Sequence, residues 1–159
     1  MIEQFIFIAI AVISISSIIY IPKAKIRLAL ISFLAFQATT WFTSIILVQA
    51  GKAVYPVREF VKATNVNFIP QFLFYPSIFM WFILLFPKER SLLIKMIHYV
   101  LFVSIMLWFI YFTYKYTDIY RFPNATDYSI VTKGYARNFL QFGICHLYVT
   151  WFFSKDKSI

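Results

Sequence analysis

The chain has very little of the chemistry from which most enzyme sites are built. It carries one cysteine, two histidines, three glycines and six acidic residues among its 159 residues. A single cysteine excludes an intramolecular disulfide and a thiolate metal cluster, and so few glycines leave no glycine-rich phosphate loop. The two histidines, His98 and His146, are far apart and belong to no His-Glu-x-x-His motif. We therefore expect no enzyme activity, no metal and no cofactor.

Hydrophobic residues, in contrast, make up 62% of the chain and aromatic residues 22%. A soluble domain of this size cannot bury so much apolar surface, and several apolar runs reach the roughly 18 residues that a membrane-crossing helix needs. The sequence thus predicts an all-α integral membrane bundle of about five transmembrane helices in a single domain, 1–159. The predicted spans cover residues 5–21, 28–50, 68–86, 94–114 and 135–153.

The net charge of +9 comes from basic residues that stand in short clusters beside the apolar runs. This placement indicates membrane orientation and contact with anionic lipid, not nucleic-acid binding. The first span has no Lys or Arg before it and Lys23-Ala24-Lys25-Ile26-Arg27 after it. The bias predicts an N-terminus outside and a C-terminus in the cytoplasm.

The charged segment between the second and third spans has the features of a helix start. Pro56 suits the first helical position, Glu59 lies near the positive end of the helix dipole, and Lys62 lies near the negative end. Val54, Val57 and Val61 share an apolar stripe. These features predict a short interfacial helix over residues 56–65, and they fit a plain connector as well as a recognition surface.

The same segment supplies a candidate outer-face network of Tyr55, Arg58, Glu59 and Asp118. Arg58 and Glu59 are adjacent, so on a helix they point about 100° apart and do not pair with each other. We therefore expect Arg58 to pair with Asp118 of the second outside segment and to dock the surface helix on the end of span four. Two solvated charges at the headgroup level are the alternative.

Polar side chains within the predicted spans are candidate intramembrane sites, because an unsatisfied amide in hydrocarbon is costly. Gln37 shares a stripe with Thr40 and Ser44, which either lines a small cavity or bonds to another helix. His146 is a functional candidate by its depth, although a histidine bonded to a neighbouring helix gives the same pattern. The full set of candidates is Gln37, Gln71, Gln141 and His146.

Two further patterns concern helix packing. Ala35, Thr39 and Thr43 recur at every fourth residue and form a face that another helix can approach closely. Pro76 lies inside the third span, where it kinks the helix or leaves a carbonyl near Phe72 without a donor.

Three segments of the sequence carry a family resemblance. In chain order they are Tyr55-Pro56-Val57-Arg58-Glu59-Phe60, Phe72-Leu73-Phe74-Tyr75-Pro76 and Lys115-Tyr116-Thr117-Asp118. In these pieces the chain resembles a family of small multi-spanning membrane proteins from Bacillota, many of them spore formers. The resemblance implies several spans in a bacterial cytoplasmic membrane and brings no activity with it.

These features favour a structural or accessory membrane protein that acts through helix packing and its outer surface. The alternative is a small carrier, or a lipid- or solute-binding protein, with a cavity between spans two, three and five. Membrane lipid is an expected partner, and another membrane protein or a second copy of the chain is a further one.

Overall fold

The computed structural model describes residues 2–123 and 125–155, and its regular elements are helices. The five α-helices are α1 (Ile2–Ile19), α2 (Ile26–Gln49), α3 (Tyr75–Leu84), α4 (Leu92–Tyr116) and α5 (Asp127–Ser154). A 3₁₀ turn, Lys23–Lys25, precedes α2, and a π-helical turn, Pro70–Phe74, runs directly into α3. The predicted all-α fold of five helices is confirmed.

Three of the described helices are long and apolar enough to cross a membrane: α1, α2 with its 3₁₀ turn, and α4. The helix Pro70–Leu84 is apolar but shorter, and α5 is long but polar in its first half. Large apolar side chains cover the outside of the molecule, as lipid contact requires and water does not favour. Examples are Phe5, Ile19, Leu92 and Leu147, which are 71%, 79%, 76% and 73% exposed.

Helices α2, α3, α4 and α5 close around a shared aromatic core, whereas α1 contacts the bundle along the π-helical turn. Phe36 of α2 stacks on Phe79 of α3 with ring centroids 4.5 Å apart, and Phe142 of α5 meets the Phe36 ring edge-on at 5.0 Å. All three side chains are fully buried. Aromatic pairs of this geometry add to the free energy gained by burial alone, so these rings fix how three helices meet.

Pro76 leaves a carbonyl at the start of α3 without a main-chain donor, because proline has no N–H. The α-helical partner of residue 76 is Phe72, and the π-helical partner is Gln71. Gln37 of α2 donates from Nε2 to the Phe72 carbonyl oxygen at 3.0 Å. The hydroxyl of Thr40 lies 3.0 Å from the Gln71 carbonyl oxygen and 3.0 Å from that of Phe36, and donates its one proton to either. The polar stripe of α2 therefore bonds to another helix.

The predicted small-residue face of α2 meets α5. Thr39 Oγ1 lies 3.2 Å from Cys145 Sγ and accepts a hydrogen bond from Gln141 Nε2 at 3.3 Å. Short side chains at this face let the two backbones approach, as close helix packing in membranes requires.

Residues 56–65 do not form the predicted interfacial helix. The chain makes one turn there, with Ala63 N and Thr64 N donating to the Phe60 carbonyl oxygen at 3.0 and 3.1 Å. Just before it, Val54 forms an isolated antiparallel bridge with Arg121, with N–H···O distances of 2.8 and 2.9 Å. A helix of roughly ten residues is marginal on its own, and backbone pairing with the second outer segment replaces it.

Helix α5 begins at Asp127, well before the predicted start at residue 135. Thr126 caps it, because its hydroxyl accepts a hydrogen bond from Ser129 N at 3.2 Å. Asp127 adds negative charge in the first turn, where the helix dipole favours it. The earlier start brings residues 127–134 onto the helix and fixes which face each of them occupies.

Replacing Gln37 by methionine keeps the length of the side chain and removes its amide donor. We expect the free energy of unfolding to fall by about 1–3 kcal/mol, because the Phe72 carbonyl is left unpaired in an apolar interior. Unfolding in detergent measures the loss, and Leu34→Phe on the exposed side of α2 is the control.

A second pair of variants tests the role of Pro76 in the same experiment. In a Pro76→Ala background the N–H of residue 76 is restored, so Gln37→Met should cost less than in the natural chain. An equal loss in both backgrounds would contradict the role assigned to Gln37.

Candidate ligand-binding site

The two outer segments of the chain, residues 53–60 and 117–123, meet across the Val54–Arg121 bridge and form what we call the outer cap. Tyr55 and Tyr120 lie beneath it, 3% and 2% exposed, with ring centroids 5.2 Å apart. The Tyr120 hydroxyl hydrogen-bonds to that of Tyr75 at 2.6 Å. Burial raises the pKa of Tyr55 and of Tyr120 above the ordinary value, so both rings stay neutral and seal the outer end of the bundle.

The predicted outer-face network is rearranged in the structure. The expected Arg58–Asp118 ion pair is not formed, because the Asp118 carboxylate pairs with Arg121 at 2.8 Å. Asp118 meets the first outer segment through its backbone instead, with its carbonyl oxygen 3.3 Å from Val57 N. Arg58 forms no ion pair with a described residue, and its buried Nε has no hydrogen-bond partner.

Glu59 caps the start of the helical segment that continues through Pro70–Phe74 into α3. Its two carboxylate oxygens accept hydrogen bonds from the backbone N–H groups of Phe68 and Ile69, each at 2.9 Å. These are donors that a helix start leaves without internal partners. Glu59, the acidic residue of the Tyr-Pro-x-Arg-Glu piece, thus caps the start of this helical segment, which we call the third helical segment, with its side chain.

The intramembrane candidates divide between the two ends of the bundle. Gln71 is buried below the outer cap, with Nε2 3.5 Å from the Tyr55 hydroxyl, and Gln141 bonds to Thr39 one layer deeper. His146 lies towards the opposite end, where its Nδ1 bonds to the hydroxyl of Tyr99 on α4. The structure therefore brings Gln71 and Gln141 together and leaves His146 apart from them.

A small polar cavity of about 30 Å³ lies under the outer cap, among α2, α3, α4 and α5. It has room for about two water molecules, so it holds water or one polar group and is too small for a whole solute. Its polar lining consists of Thr40, Thr43, Ser44, Tyr55, Gln71, Tyr75, Tyr120, Arg137, Asn138 and Gln141.

A larger cleft of about 530 Å³ adjoins this cavity, between the end of α2, α4 and the start of α5. Ligand pockets in proteins commonly have volumes of about 300–1,000 Å³. Its apolar walls include Leu47, Leu107, Ile110, Phe122 and Ile130, and its charged lining residues are Lys52, Lys133 and Arg137. Arg137 lines both spaces and therefore marks the point where they adjoin.

Local backbone geometry places the basic residues at this cleft. Gly51 ends α2 at a φ of 64°, a value that favours glycine, and Lys52 N donates to the Leu47 carbonyl oxygen at 2.9 Å. This is the Schellman arrangement, which reverses the chain sharply. On α5, Ser129, Lys133 and Arg137 recur at every fourth residue and so share one face.

The acidic residues near the outer end are engaged elsewhere. Asp127 accepts a hydrogen bond from Lys115 Nζ at 2.7 Å, and this bond holds the pKa of its carboxyl below the ordinary value. Asp118 pairs with Arg121, and Glu59 caps the start of the third helical segment. Within the described parts of the chain, no carboxylate lies within 4 Å of the charged groups of Lys52, Lys133 or Arg137. The cleft therefore carries uncompensated positive charge.

Asn138 is fully buried beside Arg137 and is only partly satisfied. Its Oδ1 lies 3.5 Å from Arg137 Nε, and its Nδ2 has no hydrogen-bond partner among the described residues. A buried polar group without a partner costs free energy, so packing alone gives no reason for an asparagine at this position.

The sequence analysis did not identify Lys52, Lys133, Arg137 or Asn138 as site residues. The signal was present in the spacing of residues 129, 133, 137 and 141. It becomes visible only once α5 is extended back to Asp127, because the spacing has meaning only on a helix.

Comparison of the chain with protein-family models, with curated proteins and with solved structures found no match. Within residues 2–123 and 125–155 there is also no group of three or more metal-ligating side chains. The geometry of the cleft is therefore the basis for assigning a function.

Replacing Asn138 by leucine keeps the number of side-chain heavy atoms and removes the unpaired amide. We expect unchanged or raised thermal stability in detergent, because the folded protein no longer buries a polar group whose desolvation costs about 1–3 kcal/mol. Gln141→Met is the matched comparison, and it should be destabilising because it breaks the bond to Thr39. An equal loss in the two variants would show that Asn138 has a structural role.

Proposed function

We propose that this chain is a small multi-span membrane protein that binds an amphiphilic ligand, lipid or solute, in the outer cleft. The observation that carries the proposal is the cleft itself: apolar walls, three basic residues and no carboxylate among its lining residues. An apolar ligand does not need the charges, and a fully polar ligand does not need the walls. A molecule with a polar head and an apolar body fits both.

The setting of the cleft supports binding from the membrane. Lys52, Pro123 and Lys133 at its rim are exposed, whereas Leu107 and Ile130 deeper in it are buried. The cleft also lies among α2, α4 and α5, not between spans two, three and five as the sequence suggested for a ligand cavity. The small polar cavity, lined by residues of α2, α3, α4 and α5, adjoins the cleft at Arg137.

The proposed location is a bacterial cytoplasmic membrane, with the outer cap on the external side. The exposed apolar surface and the three long apolar helices support membrane insertion. The basic turns at 23–27 and 88–90 support a cytoplasmic position for the opposite end. The resemblance to the Bacillota family supports the bacterial assignment.

An accessory role is the second candidate, and the placement of α1 favours it. Of its 18 residues only Phe7, Ile10 and Ser14 are buried. The remaining apolar surface faces outward and is available to another membrane protein. Cross-linking from an outward position such as Ile8 to a discrete partner would support this role.

A tryptophan at Ser129 tests the cleft directly, because it fills the mouth on the face of α5 that carries Lys133 and Arg137. We expect the Ser129→Trp protein to lose a ligand that remains bound to the natural chain after mild detergent purification. Native mass spectrometry measures the bound mass. Ala136→Trp is the control, since Ala136 is exposed on α5 and does not line the cleft. An unchanged ligand content in Ser129→Trp would exclude the cleft as the site.

Single cysteines test the orientation once Cys145 is replaced by alanine. Ala24 and Ala63 are both exposed, and Ala24 lies before the start of α2 whereas Ala63 lies after its end. In intact cells a membrane-impermeant thiol reagent should label Ala63→Cys and not Ala24→Cys. The reverse pattern would invert the molecule in the membrane, and labelling of both positions would contradict the number of spans.

A further inference from the structure

We propose that the head of the ligand is the phosphate of an anionic lipid, bound by Arg137, Lys133 and Lys52, and that its acyl chain lies along Leu107, Ile110 and Ile130. This assignment rests on the proposed function and specifies the class of ligand. It is argued from charge, from burial and from the order of residues along α5.

The charge of the cleft requires an anion from outside the chain. Three basic side chains line it, and the described carboxylates that lie near the outer end are each bonded to another group. Arg137 is half-buried and bonds only weakly to Asn138 Oδ1, at 3.5 Å. A guanidinium withdrawn from water without a counter-charge is unfavourable, and a phosphate that accepts two parallel N–H bonds from arginine supplies that charge.

The depth of the basic residues matches a lipid standing in the outer leaflet. Lys133 is exposed, Arg137 is half-buried one helical turn deeper, about 6 Å along the axis, and Gln141 below it is buried. Lysine at the rim and arginine beneath it thus place the phosphate at the upper part of the cleft. Asn138, with its unpaired Nδ2, adds a donor beside the cavity that a headgroup hydroxyl or water can use.

The apolar walls distinguish a lipid from a free phosphate. Leu107 and Ile130 are buried lining residues, and Gly134 stands between them and Arg137 with no side chain of its own. A Cβ at residue 134 would lie 2.5 Å from Leu107 Cδ1, so α4 and α5 are in close contact at this level. A phosphate ion fills a small part of about 530 Å³ and covers none of this apolar surface, whereas an acyl chain covers it.

The test is a titration of the full chain in detergent with phosphatidylglycerol and with phosphatidylcholine that carries the same acyl chains. Native mass spectrometry gives the dissociation constant of each bound lipid. We expect phosphatidylglycerol to bind about tenfold more tightly or better. Arg137→Gln and Lys133→Gln should each weaken phosphatidylglycerol binding about tenfold, because each removes a charge-assisted hydrogen bond. They should weaken phosphatidylcholine binding less, because its choline cation offsets the charge of its phosphate at the basic cleft.

Two control variants keep this result specific. Lys62→Gln removes the same charge from an exposed position that does not line the cleft, and it should leave both affinities unchanged. Arg137→Lys keeps the charge but loses the planar fork of donors, so its affinity should lie between those of the natural chain and Arg137→Gln. An equal effect of Lys62→Gln and Lys133→Gln would show diffuse electrostatics and overturn the site.

The remaining outcomes separate this inference from the proposed function. If both lipids bind equally and Ser129→Trp removes both, the cleft binds lipid and the anionic headgroup is rejected. If inorganic phosphate binds as tightly as phosphatidylglycerol, the apolar walls contribute nothing to binding and the lipid assignment is rejected. If neither lipid binds above the background of Ser129→Trp, both proposals fail.

Discussion

The hydrogen bond from the Gln37 amide to the Phe72 carbonyl is the contact on which the outer half of the bundle depends. Proline at residue 76 frees that carbonyl, and in an apolar interior an unpaired carbonyl is costly. The donor has to come from a neighbouring helix, so α2 must lie at one height and one rotation against α3. That rotation presents Thr39 to α5, where Gln141 bonds to it. The position of Gln141 in turn sets the height of Arg137, one helical turn nearer the outer cap. A missing N–H in α3 thus fixes the geometry of a cleft that three other helices line.

The outer cap shows a second use of backbone hydrogen bonding. Between α2 and the third helical segment the chain does not form the predicted short helix, and Val54 pairs with Arg121 instead. The exchange lets Tyr55 and Tyr120 turn inward as a pair, which neither a surface helix nor a free loop would allow. Glu59 completes the arrangement by capping the next helix through side-chain oxygens. Residues 53–60 and 117–123 therefore both connect helices and cover the outer end of the bundle.

Those parts of the fold that depend on local chemistry were predictable from sequence. The apolar runs predicted the number of helices, Pro76 predicted an unpaired carbonyl near Phe72, and the spacing of Ala35, Thr39 and Thr43 predicted a packing face. The segment 56–65 was predicted wrongly, because the preference of so short a sequence for helix is small and a partner 60 or so residues away decides the outcome. The Arg58–Asp118 pair was predicted wrongly for a different reason, because Asp118 pairs with Arg121, three residues further along the chain. The basic cleft was missed because its face exists only when α5 begins at Asp127.

The distribution of unpaired polar atoms supports a ligand over a purely structural role. Four buried side-chain atoms have no hydrogen-bond partner among the described residues. Arg58 Nε, Asn67 Oδ1 and Asn138 Nδ2 belong to the outer end of the molecule, whereas Trp81 Nε1 lies in α3. The polar residues between α2 and its neighbours, by contrast, bond across helices. A helix selected for packing alone gains nothing from a half-buried arginine beside an unsatisfied asparagine, because apolar residues of similar size would pack there at lower cost. The cost is offset when a charged group from outside occupies the cleft, and in a membrane the abundant molecule with such a group and an apolar body is an anionic lipid.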